Sequence, residues 1–226
     1  MAHLNSHTRI ILHPVTNTVS DLIGAGGMAV NHHRKIMIVM TLVFLLLQVA
    51  VMVGLSAKGY PGFMRGSAVT TACLLLYTVI EYKYGLYMNN FVRAAVMIAM
   101  VCDSLLGQYW EFYITSTIFD KVLHAFGTYS FSLFFYILLL QLQSGRFRRP
   151  VSFVIVFCLG MSFGGLYEIM EFVIDMVTKP TFPGQLSLYD TNLDLAADMA
   201  GALGAATHAT LVKPEVLGIW INRKDA

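Results

Sequence analysis

The residues able to do chemistry in this chain are acidic, and they are not scattered. Nine of the thirteen carboxylates fall between Asp103 and Asp198. Asp120 and His124 are four apart, one helical turn, and share a face. Glu168, Glu171 and Asp175 fall at i, i+3 and i+7, again one stripe. Asp190, Asp194 and Asp198 repeat every four residues. One imidazole among several carboxylates is a ligand set for a divalent metal. Zn²⁺, Mn²⁺ or Fe suit it, and Mg²⁺ or Ca²⁺ if oxygen dominates. Asp120, His124, Glu168, Glu171, Asp194 and Asp198 are the expected ligands, with Asp103, Asp175 and Asp190 as further candidates. Glu171 is also the candidate catalytic base. Two bridged metals fit the ligand count as well as one does.

The elements that must position these groups are membrane helices. Of the 226 residues, 57% are hydrophobic and 12% charged, about half the charge of a soluble domain. Net charge is +2, so no nucleic-acid surface is expected. Cys73, Cys102 and Cys158 lie in apolar runs and read as packing residues rather than a disulfide framework. The first 30 residues lack a basic start, short apolar core and cleavage site, so no cleaved signal peptide is expected.

A membrane span takes roughly 20 apolar residues. Six stretches meet or approach this: Ile36–Ser56, Ser67–Glu81 (extending toward Tyr87), Val92–Tyr113, Ile118–Leu142, Val151–Val177, and a weaker Leu193–Leu211 rich in Ala and Gly. The expected fold is an all-α polytopic bundle: a cytoplasmic segment 1–35, a transmembrane domain 36–212 and a cytoplasmic tail 213–226. Basic residues orient it. Arg34 and Lys35 precede the first span. Lys83 and Arg93 flank the second connection, Arg146, Arg148 and Arg149 the fourth, and Lys213, Arg223 and Lys224 follow the sixth span. Both termini then face the cytoplasm.

In that orientation the fourth and sixth spans start outside and the fifth ends there. At ~1.5 Å rise per residue, His124, Glu171 and Asp194 come within about 10 Å of the outer boundary. Gly160 and Gly164 form one small-residue row and Ala197, Gly201 and Ala205 another, which predicts close antiparallel packing of the fifth and sixth helices. Carboxylates ~4 Å apart repel by several kcal/mol at an effective dielectric near 20. With only Lys121 and Lys179 nearby, either several carboxyls are protonated or a cation is bound.

Blander readings stand beside these. His124 alone would be an interhelical hydrogen-bonding residue, and Glu168 and Glu171 could pair with Lys179. Asp190 divides between a solvated loop and ligation, and Asp103 between packing and support of the site. Glu111 reads as interfacial, Glu81 as a boundary pair with Lys83, and His208 as a hydrogen-bonding residue. His3, His7 and His13 read as a solvated tail. The run from Asp190 to Asp194 starts like a calcium-binding EF-hand loop, but Leu195 stands where Gly is needed and Gly201 where Glu is needed.

Three ordered motifs carry a family resemblance: Phe119-Asp-Lys-Val-Leu-His124, Tyr167-Glu-Ile-Met-Glu-Phe172 and Tyr189-Asp-Thr-Asn-Leu-Asp194, the last followed by Gly201-Ala-Leu-Gly204. Together they resemble the YjdF-like inner-membrane proteins and the wider VanZ-like group. The YjdF-like pattern has Trp where Tyr189 and Phe172 stand and Gln at Asn192. The VanZ-like pattern has Glu-x-x-Gln across Glu168 and Glu171. The resemblance implies a cell-envelope protein of the bacterial cytoplasmic membrane, with VanZ-like members linked to glycopeptide resistance.

Three functions compete. A metal-dependent hydrolase or transferase would act at the outer leaflet on a lipid or envelope precursor. An ion- or proton-coupled carrier would carry polar groups through to the other face, whereas Phe131–Leu140 and Val151–Cys158 are nearly all apolar. An accessory protein would hold a fully ligated structural metal. The oligomeric state is not encoded in any of these features.

Overall fold

The computed structural model describes residues 16–143, 147–180 and 183–212, with side chains from His32 onward. The amino-terminal histidines, Arg146 and the tail from Lys213 lie outside the described residues, as do residues 1–15 of the expected cytoplasmic segment. The chain divides into two units, Met1–Val39 and Met40–Ala226. The first contributes the start of helix α1 (Thr16–Ala57), and the second holds the remaining helices and the acidic cluster.

Every described element is helical. After α1 come α2 (Pro61–Tyr84), α3 (Asn90–Val101), a short α4 (Phe112–Thr115), α5 (Phe119–Gln143), α6 (Arg149–Thr178) and α7 (Leu188–Leu211). Five helices are long and apolar enough to cross a membrane: His32–Ala57, Pro61–Tyr84, Asn90–Tyr109, Phe119–Gln143 and Arg149–Thr178. Their outward faces are apolar, as at Leu46, Leu76, Val154 and Leu166, the surface lipid requires. The protein is a polytopic helical membrane bundle. The sixth expected span, α7, falls below the hydropathy of the other five because three aspartates and His208 lie along it.

Local chemistry sets the boundaries. The second helix starts at Pro61 rather than Ser67, because proline is pre-organised for a first turn. It ends at Gly85, whose φ of 68° few other residues adopt readily. Asn89 opens α3 by accepting the Phe91 N–H at 2.8 Å. Ser187 opens α7 by accepting the Asp190 N–H at 3.1 Å.

The third span departs from the single helix expected over Val92–Tyr113. Beyond Val101 it widens into a π-helix, Cys102–Tyr109, and the chain breaks at Glu111 (φ 63°). Two interactions account for this. Ser104 Oγ donates to the Gln48 side chain and to the Met100 carbonyl, both at 3.0 Å, which competes with the regular ladder. Tyr113 folds back over Gly107, where any Cβ would collide with its ring, and donates to Asp103 Oδ1 at 2.6 Å.

A second correction concerns Glu81. Its partner is not Lys83 but Arg93, at 2.5 Å, with both side chains 1% exposed. Glu81 also accepts the Met88 N–H at 3.2 Å, which ties the α2–α3 turn together. Lys83 instead lies 5.7 Å from the Tyr84 ring centre.

Helices α5, α6 and α7 pack on one another. Gly160 faces Ala202 and Ser132, and Gly164 faces Asp198. The expected close α6–α7 approach is present, with one change of partner: Gly201 meets the Ala125 carbonyl of α5, not α6. Below the acidic level, Phe131 stacks on Phe163 with centroids 4.4 Å apart, and Leu133, Ile137 and Val156 fill the core.

Candidate metal centre

The acidic stripes of α5, α6 and α7 meet at one end of this three-helix unit. The starts of α5 and α7 and the last turns of α6 bring them together. The centre is His124. Its Nδ1 lies 3.3 Å from Asp198 Oδ1, and Thr128 Oγ1 donates to the same oxygen at 2.6 Å. Asp198 therefore fixes the imidazole from one side, an arrangement typical of metal-ligating histidines. The other nitrogen, Nε2, faces Asp120 Oδ1 at 3.6 Å, Glu168 Oε1 at 3.7 Å and Asp194 Oδ1 at 3.9 Å.

These distances exceed hydrogen bonds and leave room between donor atoms. Two groups, Asp120–His124–Asp194 and His124–Glu168–Glu171, each place their ligand atoms within 4.8 Å of one another. Glu168 Oε1 is buried with no hydrogen-bond donor among the described residues, a costly state for a carboxylate oxygen. Its other oxygen, Oε2, accepts from Gln185 Nε2 at 2.9 Å. A buried acceptor facing an oriented imidazole fits a bound divalent cation.

Lys121 organises the outer part of the cluster. Its Nζ lies 2.9 Å from Asp120 Oδ2 and 2.8 Å from Asp194 Oδ1, and it pairs with Asp190. Exposure grades inward, from 23% for the Asp120 side chain to 7% for His124 and 1% for Asp198. The cluster thus opens at its surface end and closes inside.

The remaining expected site residues take other positions. Glu171 joins His124 and Glu168 in the second group and lies under Gly184, where a Cβ would come within 3.2 Å. Asp175 accepts the backbone N–H groups of Gly184 and Gln185 at 3.0 and 2.9 Å, so it shapes the α6–α7 connection. Asp103 accepts from Tyr113 and, at 3.0 Å, from Gln108 Nε2. Lys179 closes α6 at φ 44°. Glu111 sits at the chain break before α4, with Lys58 Nζ 3.1 Å away, and His208 bonds to the Tyr129 hydroxyl.

Thr128 and Gln185 are partners that sequence reasoning does not single out. Thr128 was legible in principle, because Asp120, His124 and Thr128 continue one row at i, i+4 and i+8. Gln185 sits in a connection with no periodicity to place it.

A multi-pass membrane bundle with a buried acid–histidine cluster is therefore the class of protein that the fold defines. Over residues 37–214 the chain matches the family described as "Predicted membrane protein (DUF2238)", and it belongs to that family. It is also similar to an uncharacterized protein of Thermotoga maritima, with 36% identity over 120 residues. That match covers 53% of this chain and 60% of the relative's length. No solved structure matches the chain.

Proposed function

We propose that the cluster binds a divalent metal ion (Zn, Mn, Fe or Mg) and that the protein is a metal-dependent membrane hydrolase or transferase. The observation that carries this reading is the environment of His124. Asp198 holds its Nδ1, while its Nε2 faces three carboxylate oxygens, of which Glu168 Oε1 is buried without a donor among the described residues. Asp120, His124, Glu168 and Asp194 would hold the ion, and Asp198 with Thr128 would orient the imidazole. A bound metal supplies Lewis acidity and a more acidic water. Glu171, one turn beyond Glu168, would take the proton.

The basic residues next to the helices support a site on the extracytoplasmic side of the bacterial inner membrane. The ordered acidic motifs support kinship with the YjdF-like and VanZ-like envelope proteins. A centre at the end of a bundle with a lipid-facing exterior suits an amphiphilic substrate, a lipid or lipid-linked envelope precursor. The carrier reading is disfavoured by the packed seam inward of Asp198, where Ser132, Gly160 and Ala202 touch and Leu133, Ile137 and Val156 are buried.

Metal analysis of detergent-purified protein, prepared without chelator, tests the reading. Wild type should carry stoichiometric metal, and His124→Ala and Glu168→Ala should lose it while remaining helical. A folded wild type with no stoichiometric metal would overturn the proposal.

A further inference from the structure

The same seam contains two cation positions, not one. The inner position is framed by His124 Nε2 with Asp120 Oδ1, Glu168 Oε1 and Asp194 Oδ1. The outer position is filled by the Lys121 ammonium among Asp120, Asp190 and Asp194. Asp120 divides its oxygens between the two: Oδ2 lies on Lys121 and Oδ1 faces His124. Asp194 also serves both, since its Oδ1 is near Lys121 and His124 while its Oδ2 accepts from Lys121 at 3.1 Å. Carboxylates shared between neighbouring cations are the pattern of two-metal centres. Here a side chain of the protein takes one of the two places.

We propose that Lys121 is a built-in replacement for a second metal ion, so that the native centre holds one metal beside one fixed ammonium. The inference rests on the metal-binding reading above. The geometry gives it chemical sense. Lys121 follows Asp120 directly and precedes His124 by three residues, so the same helical turn delivers a cation and the ligands for its neighbour. Lysine is a compact point charge with three donors, and three carboxylates surround it. Two divalent ions among these carboxylates would instead place four positive charges in the seam.

The consequence is a change in stoichiometry. In full-length protein titrated with Mn²⁺ in detergent, wild type should bind one ion per chain and Lys121→Ala two, while Lys121→Arg should stay at one. The wild type gives a second reading independent of that variant's folding. Its Mn²⁺ spectrum by electron paramagnetic resonance should be that of an isolated ion even in excess metal. A spin-coupled pair in wild type would overturn the inference, as would a folded Lys121→Ala protein that binds only one ion. Absence of any bound metal in wild type would instead overturn the metal reading on which it rests.

Discussion

At the scale of single residues, the arrangement around His124 separates ligation from orientation. Thr128 and Asp198 form a buried chain ending on Nδ1, so under the proposed reading Thr128 would act on a bound metal without touching it. Thr128→Val preserves the side-chain shape and removes the donor. Metal affinity should fall about 10–100-fold, read by competition with a chromophoric chelator, while circular dichroism stays unchanged. Unaltered affinity would show that Asp198 needs no help in holding the imidazole. The acidic residues were legible because an ionisable group at membrane depth is costly and the stripes follow the helical period. Lys121 was legible only as a nearby charge. Its role depends on Asp190 being drawn in by the Ser187 cap, and no spacing between α5 and α7 encodes that.

At the scale of elements, glycine placement decides how α5, α6 and α7 meet. Gly201 lies against the Ala125 carbonyl, whereas a Cβ added at Gly204 would meet Tyr129 at an ordinary 3.6 Å. Gly201→Val should therefore destabilise the bundle by at least ~1–3 kcal/mol, the usual penalty for overpacking. Gly204→Ala should be nearly neutral. Thermal unfolding in one detergent distinguishes them, and equal midpoints would refute the packing assignment. The small-residue rows were visible in the sequence, but the partner of each was not. A helix of small residues offers several faces for close approach, and which neighbour occupies each face is decided in three dimensions. The π-helical turn was invisible for a related reason. It depends on Tyr113 folding back over Gly107 and on Gln48 reaching Ser104 from α1, contacts across a chain break and between helices.

At the scale of the whole molecule, the Glu81–Arg93 pair fastens α2 to α3 away from the acid–histidine cluster. Burial makes it sensitive to losing one member. Glu81→Leu or Arg93→Met alone should cost about 3–5 kcal/mol, and the two together much less. A double-mutant cycle on thermal stability checks this, and additive losses would show that the two side chains act independently. The orientation rule predicts both termini on the cytoplasmic side. Reporter fusions after α6 and after α7 should therefore report opposite compartments, and the same compartment for both would contradict a sixth crossing.

The polarity of α7 also has a consequence for how the protein is made. An aspartate at a helix centre costs roughly 2.5–3.5 kcal/mol when a segment partitions alone from the translocon into lipid; of the three in Leu188–Leu211, Asp190 lies in the first turn and Asp198 nearest the centre, and the alanines and glycines between them do little to offset the charge. The side chains that satisfy those aspartates, Lys121, Thr128 and His124, are on α5. A crossing by α7 would therefore be made as the partner of α5 rather than as a free segment.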